Sequence, residues 1–164
     1  LRYYDAAESA IPEGQAMTVG EVCSRQVVIV HRKESLVSAA KLMYQYHVGN
    51  LVVVEEQAGE RIPIGVLTDR DLVVKVLAKD LDPYHLTVAE AMTAGVEAVR
   101  ETEDILPAAE RMRALGVLCL PVVNDMGALV GIIGLDDLID LLAEELRDLA
   151  AVFASARRRE KWQA

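Results

Sequence analysis

The segment Gly65-Val66-Leu67-Thr68-Asp69-Arg70-Asp71 sets a glycine, a hydroxyl, a guanidinium and carboxylates side by side at the end of an apolar run. It reads as a strand-to-helix junction, a place suited to phosphate chemistry. A helix N-terminus offers free N–H groups and the positive end of the dipole, and both favour an anion. Gly65 lets a ligand or a neighbouring backbone approach the strand. Thr68 can cap the helix or donate to a phosphate oxygen, and Arg70 adds a fixed positive charge. Asp71 has two acceptor oxygens, a match for the two hydroxyls of a ribose 2′,3′-diol. A plainer reading stands beside this one: Thr68 and Asp69 are an ordinary helix cap with acids that suit the dipole.

Other reactive chemistry has little support. No GxxxxGK[ST], GxSxG or HExxH occurs, and Gly127, Gly131 and Gly134 lack the lysine of a nucleotide-hydrolysing loop. Cys23 and Cys119 are far apart, and with His31, His47 and His85 they form no zinc-ligand spacing, so no metal is expected. They read as small buried hydrophobes. The acids stand beside no nucleophile, and the chain is read as non-catalytic.

The elements that position the junction come from an internal repeat. Residues 18–54 match 87–123 without a gap, with 13 of 37 positions identical, among them Thr18/Thr87, Glu21/Glu90, Met43/Met112 and Val54/Val123. After a loop three residues shorter in the second copy, Gly65, Asp71 and Leu72 meet Gly131, Asp137 and Leu138. Two copies are too few for a solenoid, so a pseudo-twofold pair is expected. Each copy reads as strand, helix, strand, strand, helix. Val27–Val30 is a short strand. Ser35 caps a helix carrying Leu36, Ala39, Ala40 and Met43, and Asp104 caps its counterpart through Met112, with Pro107 in the first turn. Leu51–Val54 and Leu120–Val123 are continuous apolar strands, expected to be buried on both faces. Glu55–Arg61 and Asn124–Gly127 are expected loops, and helices follow from Asp69 and Asp136. Neither half buries enough surface alone, so a single core between the two sheets is expected. A long last helix carries Leu138, Ile139, Leu141, Leu142, Leu146, Leu149 and Phe153. It ends in Arg157, Arg158 and Arg159, which suit its negative dipole end. The expected divisions are an arm (1–16), two repeats (17–80 and 81–150) and a helical extension (151–164).

The whole is 164 residues, 52% hydrophobic, with a net charge of −9. That is too apolar for disorder, and too acidic for a domain that must neutralise nucleic-acid phosphates. No apolar run approaches the roughly 18 residues of a bilayer span. With no basic-then-apolar leader at the start of the sequence, a cytoplasmic location is the expectation, with neither membrane nor nucleic acid as a partner.

The duplicated units, with Leu120-Pro121-Val122-Val123 ahead of a Gly-x-h-Thr-x-x-Asp junction, resemble the CBS (cystathionine beta-synthase) domain, found as tandem pairs called Bateman modules. Val19-x-Glu21 and Val88-x-Glu90-x-Met92-Thr93 are similar to the lead-in segments of such repeats. The resemblance covers about residues 17–150. It implies an α/β (α+β) fold of two pseudo-twofold β-α-β-β-α repeats packed sheet to sheet. It also implies a regulatory module for AMP, ADP, ATP or S-adenosylmethionine, with no other cofactor required. By the same resemblance each cleft joins one repeat's junction to the first strand and the start of the second strand of the other. The first cleft would use Thr68 for phosphate and Asp71 for ribose, with Val96, Glu97 and Val117 around the adenine, and Arg70 and Thr93 as further phosphate contacts. The second would use Asp137 with Val27, Val28 and Val48.

The second junction, Gly131-Ile132-Ile133-Gly134-Leu135-Asp136-Asp137, departs from the pattern. Gly134 replaces the hydroxyl of Thr68, and Asp136 replaces the cation of Arg70. An acid beside a phosphate repels it, so weaker binding is expected there, less so for a neutral adenosine moiety. His47 stands where the second copy has Gly116 and reads as a turn or packing residue before a ligand contact. Tyr44 and Tyr46 read as helix-surface and core residues. A homodimer through helix faces that include Leu72, Val76, Ile139 and Leu142, and an effector protein, are the expected partners. The competing reading is a dimerisation scaffold with degenerate clefts.

Overall fold

The computed structural model describes residues 17–161, with side chains as far as Phe153. The expected arm at 1–16 and the side chains of Arg157, Arg158 and Arg159 lie outside the described residues. The first unit runs α1 (Val19–Val22), β1 (Ile29–His31), α2 (Leu36–Tyr46), β2 (Asn50–Gln57), β3 (Glu60–Thr68) and α3 (Asp69–Asp71). The helical path of α3 continues through a π turn (Leu72–Val76) and a 3-10 turn (Leu77–Lys79). The second unit runs α4 (Val88–Ala91), β4 (Thr93–Ala94), β5 (Val99–Arg100), α5 (Ile105–Leu115), β6 (Cys119–Val123), β7 (Leu129–Gly134) and α6 (Leu135–Lys161). The mixed α/β architecture expected from the repeat is present, as sheets β1-β2-β3-β4 and β5-β6-β7. In both, the first strand pairs parallel with the second and the second antiparallel with the third.

Local chemistry explains where the elements begin and end. Ser35 accepts a bond from the N–H of Ser38 at the start of α2. Asp104 sits at the same point of α5 but its side chain makes no capping bond. The residue equivalent to Ser38 is Pro107, which has no N–H to give. At the other end of α2, His47 takes the left-handed conformation (φ 54°) that Gly116 takes after α5, so it is a helix-terminating residue. Tyr44 and Tyr46 are both exposed.

Two expectations change. The strand placed at Val27–Val30 begins at Ile29, because pairing with β2 starts at Ile29↔Val52, and Val27 and Val28 are left outside it. The loop expected at Glu55–Arg61 is a tight hairpin paired out to Gln57↔Glu60. Its two turn residues, Ala58 and Gly59, both have positive φ (52° and 86°), the geometry that follows the right-handed strand twist. An alanine held in that region loses about 1 kcal/mol to contact of its Cβ with the following carbonyl oxygen. Ala58→Asn, which makes the favoured Asn-Gly turn, is expected to recover a good part of that about 1 kcal/mol. The check is a higher urea midpoint at unchanged slope.

The core is not one slab shared between sheets. One cluster holds Val30, Leu36, Met43, Leu51, Val53 and Leu67 from the first unit together with Val88 and Ala91 from α4 of the second. The other holds Val99, Met112, Leu120, Val122 and Ile133 with Val19 and Cys23 from the first. Each repeat therefore lends its lead-in turn to the other. Val19 N–H donates to Glu103 O (2.8 Å), and Val88 N–H donates to Glu34 O (2.9 Å), the same bond carried across the pseudo-twofold. Strand alternation puts Leu51 and Val53 in the first cluster and Val52 and Val54 on the opposite face. That face is buried too, as the continuous apolar run implied, and β3 touches β7 there.

The apolar residues expected to form a helix face divide. Leu72 and Val76 pack into the first cluster and Leu138 into the second, whereas Ile139, Leu142, Leu146, Leu149 and Phe153 are 55–74% exposed along α6.

Candidate functional site

The two strand-to-helix junctions lie between the units because β3 and β7 each receive the other repeat's lead-in as an extra edge. Val66 pairs with Thr93, and Ser24 forms the equivalent bridge to Ile132. Gly65 makes this possible: a Cβ there would stand 2.6 Å from Thr93 O. The close approach anticipated at Gly65 is thus made by a neighbouring backbone.

At the first junction Thr68 caps α3. Its N–H (2.9 Å) and hydroxyl (2.7 Å) both donate to Asp71 Oδ2, and Asp71 N–H returns a bond to Thr68 Oγ1 (3.1 Å). Lys75 Nζ takes the other oxygen, Asp71 Oδ1, at 2.9 Å. The same ammonium donates across the repeat boundary to Ala91 O (2.9 Å) and Thr93 Oγ1 (3.0 Å). Burial opposes ionisation of Asp71, but the bonds from Lys75 and Thr68 outweigh it and hold the carboxyl below its ordinary value. The structure thus brings Thr68, Asp71 and Thr93 together through Lys75. Arg70 is exposed, Val96 and Val117 are half-buried, and Glu97 faces Arg111 (3.7 Å).

The second junction keeps only half of this arrangement. Gly134 N–H donates to Asp137 Oδ2 (2.7 Å), but with no hydroxyl at Gly134 the return bond is missing. The position equivalent to Lys75 is Leu141. Among the described residues, no cation or hydroxyl is bonded to Asp137. A cavity of about 640 Å³ opens in front of it, reaching between the repeats. Val27, Val28 and Val48 line it from the first unit, with Ser24, Gln26 and Asn50 adding polar atoms. Gly134, Asp136 and Asp137 line it from the second, beside Cys119, and among the described residues no lysine or arginine does. Burial, helped by Asp136, pushes the Cys119 thiol up, so it is protonated at neutral pH. Val27 and Val28, ahead of the first residue of β1, both reach this space, while Val28 O accepts a bond from Val52 N–H (3.1 Å). His47 is absent from its wall.

Sequence reasoning did not single out Lys75, Gln26 or Asn50, and read Cys119 only as a small buried hydrophobe. Lys75 had a legible signal, four residues after Asp71 on a helical path, where opposite charges meet. The other three become neighbours only when the repeats close.

A family model described as the CBS domain matches twice, at residues 19–78 and 88–144. The chain belongs to the CBS domain family. An uncharacterised protein of Methanopyrus kandleri is 32% identical over 127 residues, covering 77% of this chain and 63% of its own length. The matched CBS region is therefore less than two thirds of that relative. Among solved structures, the CBS domain pair of protein MJ0100, in complex with 5′-methylthioadenosine and S-adenosyl-L-methionine, is 26% identical with a TM-score of 0.69. The match covers 79% of this chain and 98% of that one. The CBS domain protein PAE2072 of Pyrobaculum aerophilum, complexed with AMP, is 25% identical with a TM-score of 0.66, covering 74% and 89%. The double match makes this a tandem CBS pair. Among the described residues, no helix is long and apolar enough to cross a membrane.

Proposed function

We propose that this CBS pair is a regulatory module that binds an adenosine-containing ligand between its repeats, and that the principal site is the cavity at Asp137. The observation that carries this reading is the cavity itself. It combines one repeat's junction carboxylate with the other repeat's Val27, Val28 and Val48 and holds about 640 Å³, within the range of small-molecule sites. Asp137 has an oxygen to offer a ribose diol, and the valines offer an apolar slot to the adenine. The ligands carried by the two related structures support the adenosine class.

Charge narrows the class. Asp136 and Asp137 line the space, and among the described residues no lysine or arginine lines it with them, so a phosphate brought there meets repulsion from the two carboxylates. Neutral 5′-methylthioadenosine and the sulfonium of S-adenosylmethionine suit the cavity better than AMP or ATP. Thr68, Arg70, Asp71, Thr93, Val96, Glu97 and Val117 form the pseudo-symmetric first cleft, whose carboxylate is engaged by Lys75. Ligand binding shifts the conformation of the pair only by its differential affinity for the two states, and an effector protein reads that shift. The exposed stripe of α6 recurs at three- and four-residue intervals from Ile139 to Phe153, the spacing of a helix seam, and supports a homodimer.

A ligand that binds only the folded chain raises its unfolding temperature. Thermal unfolding with S-adenosylmethionine, 5′-methylthioadenosine and AMP is expected to show clear increases with the first two and a smaller one with AMP. No increase with any of the three would remove the adenosine reading and leave the dimerisation scaffold.

A further inference from the structure

We infer that Lys75 is an internal plug of the first cleft, occupying the carboxylate that a ribose diol would otherwise take, so that the two clefts of this CBS pair are not equivalent. The inference rests on reading the clefts as adenosine sites. It is carried by the comparison of two positions that the repeat makes equivalent. At the first junction both oxygens of Asp71 are in use, Oδ2 by Thr68 and Oδ1 by Lys75 (2.9 Å). At the second, Leu141 replaces Lys75, and among the described residues the bond to Asp137 comes from Gly134 N–H and not from a cation.

The ammonium is held by more than the ion pair. Its three donors reach Asp71 Oδ1, Ala91 O (2.9 Å) and Thr93 Oγ1 (3.0 Å), which fills its capacity. Ala91 and Thr93 belong to the second repeat's lead-in, so the plug also ties that lead-in to the junction of the first. Lys75 is about one-third exposed and Asp71 14%, so a ligand must displace a charge-assisted, partly buried bond before it gains its own. The rest of the first cleft is equipped for an anionic nucleotide. Thr68 carries a hydroxyl where the second junction has Gly134, and Arg70 a cation where it has Asp136. The plug, and not a lack of phosphate-binding groups, is what keeps AMP out.

The test is a gain of binding, which a merely structural lysine would not produce. Lys75→Leu, copying the second repeat, and Lys75→Met are each titrated with AMP in a calorimeter, after their thermal transitions show that they fold. Both are expected to bind AMP on the order of tenfold or more tighter than the wild-type chain, at one site per chain. The added site should vanish in Lys75→Leu/Asp71→Ala and persist in Lys75→Leu/Asp137→Ala. Folded variants that bind AMP no better than the wild type would overturn the plug. S-adenosylmethionine titrated into the wild-type chain separates the two readings. If it binds while the Lys75 variants gain nothing for AMP, the plug fails and the adenosine reading stands. If it does not bind while the variants gain an Asp71-dependent AMP site, the plug holds and the placement at Asp137 fails.

Discussion

Asp137→Ala is expected to weaken S-adenosylmethionine binding on the order of 100-fold, while Asp71→Ala leaves it nearly unchanged. A carboxylate that accepts two ribose hydroxyls makes hydrogen bonds to a charged group, each contributing about 1.5–3 kcal/mol. Losing even the lower sum, about 3 kcal/mol, is roughly a hundredfold in affinity. The stability cost runs the opposite way. Among the described residues Asp137 accepts one bond, from Gly134 N–H, so its removal is expected to cost no more than about 1 kcal/mol, as for the loss of a helix cap. Asp71 closes a reciprocal cap and holds Lys75 against the second repeat, so its removal destabilises more. Calorimetry and urea unfolding of the two variants read both halves of the pattern. Loss with Asp71→Ala alone would move the site to the first cleft, and equal loss in both would contradict a single site at Asp137.

The second large effect concerns the exchange of lead-ins. Val19 is fully buried in the cluster built by the second repeat, though it belongs to the first. Val19→Asp would place a carboxylate among Val99, Leu120 and Ile133 with no partner, and burying an unpaired charge costs several kcal/mol. The expected result is a loss of about 4 kcal/mol or more, enough to unfold a chain of ordinary stability near room temperature. Val19→Ala is the milder probe, with about 2 kcal/mol expected from two lost methyl groups and a small cavity. Amide exchange on that variant should rise first in β5, β6 and β7, the unit that receives Val19. Exchange rising first in β1, β2 and β3 would contradict the swap.

How far the sequence reached depends on the distance over which each feature is decided. The repeat register carried both junctions, the strand order and the helices from Leu36 and Ile105, because those follow from periodicity and caps within one unit. Val19-x-Glu21 and Val88-x-Glu90 were recognisable as lead-ins, but nothing local says that Val19 packs beside Ile133 and Val88 beside Leu67. The hairpin at Ala58-Gly59 was missed because alanine is a poor sign of a positive φ, and the flanking acids hid the strand pairing. Residue types also suggested that the first cleft, with its hydroxyl and cation, should be the stronger site. We give more weight to the second, on the ground that Lys75 engages Asp71 while Asp137 lines a cavity. Competition between a ligand and the chain's own side chain is invisible until both are placed.

Central to this account is one adenosine-containing ligand held per chain between the CBS repeats, at Asp137 and without a phosphate. The most direct measurement is a calorimetric titration of S-adenosylmethionine into the wild-type chain, repeated in the presence of saturating AMP. The account predicts saturable binding at one site per chain that AMP barely displaces. No heat of binding, or a site that AMP takes over completely, would contradict it.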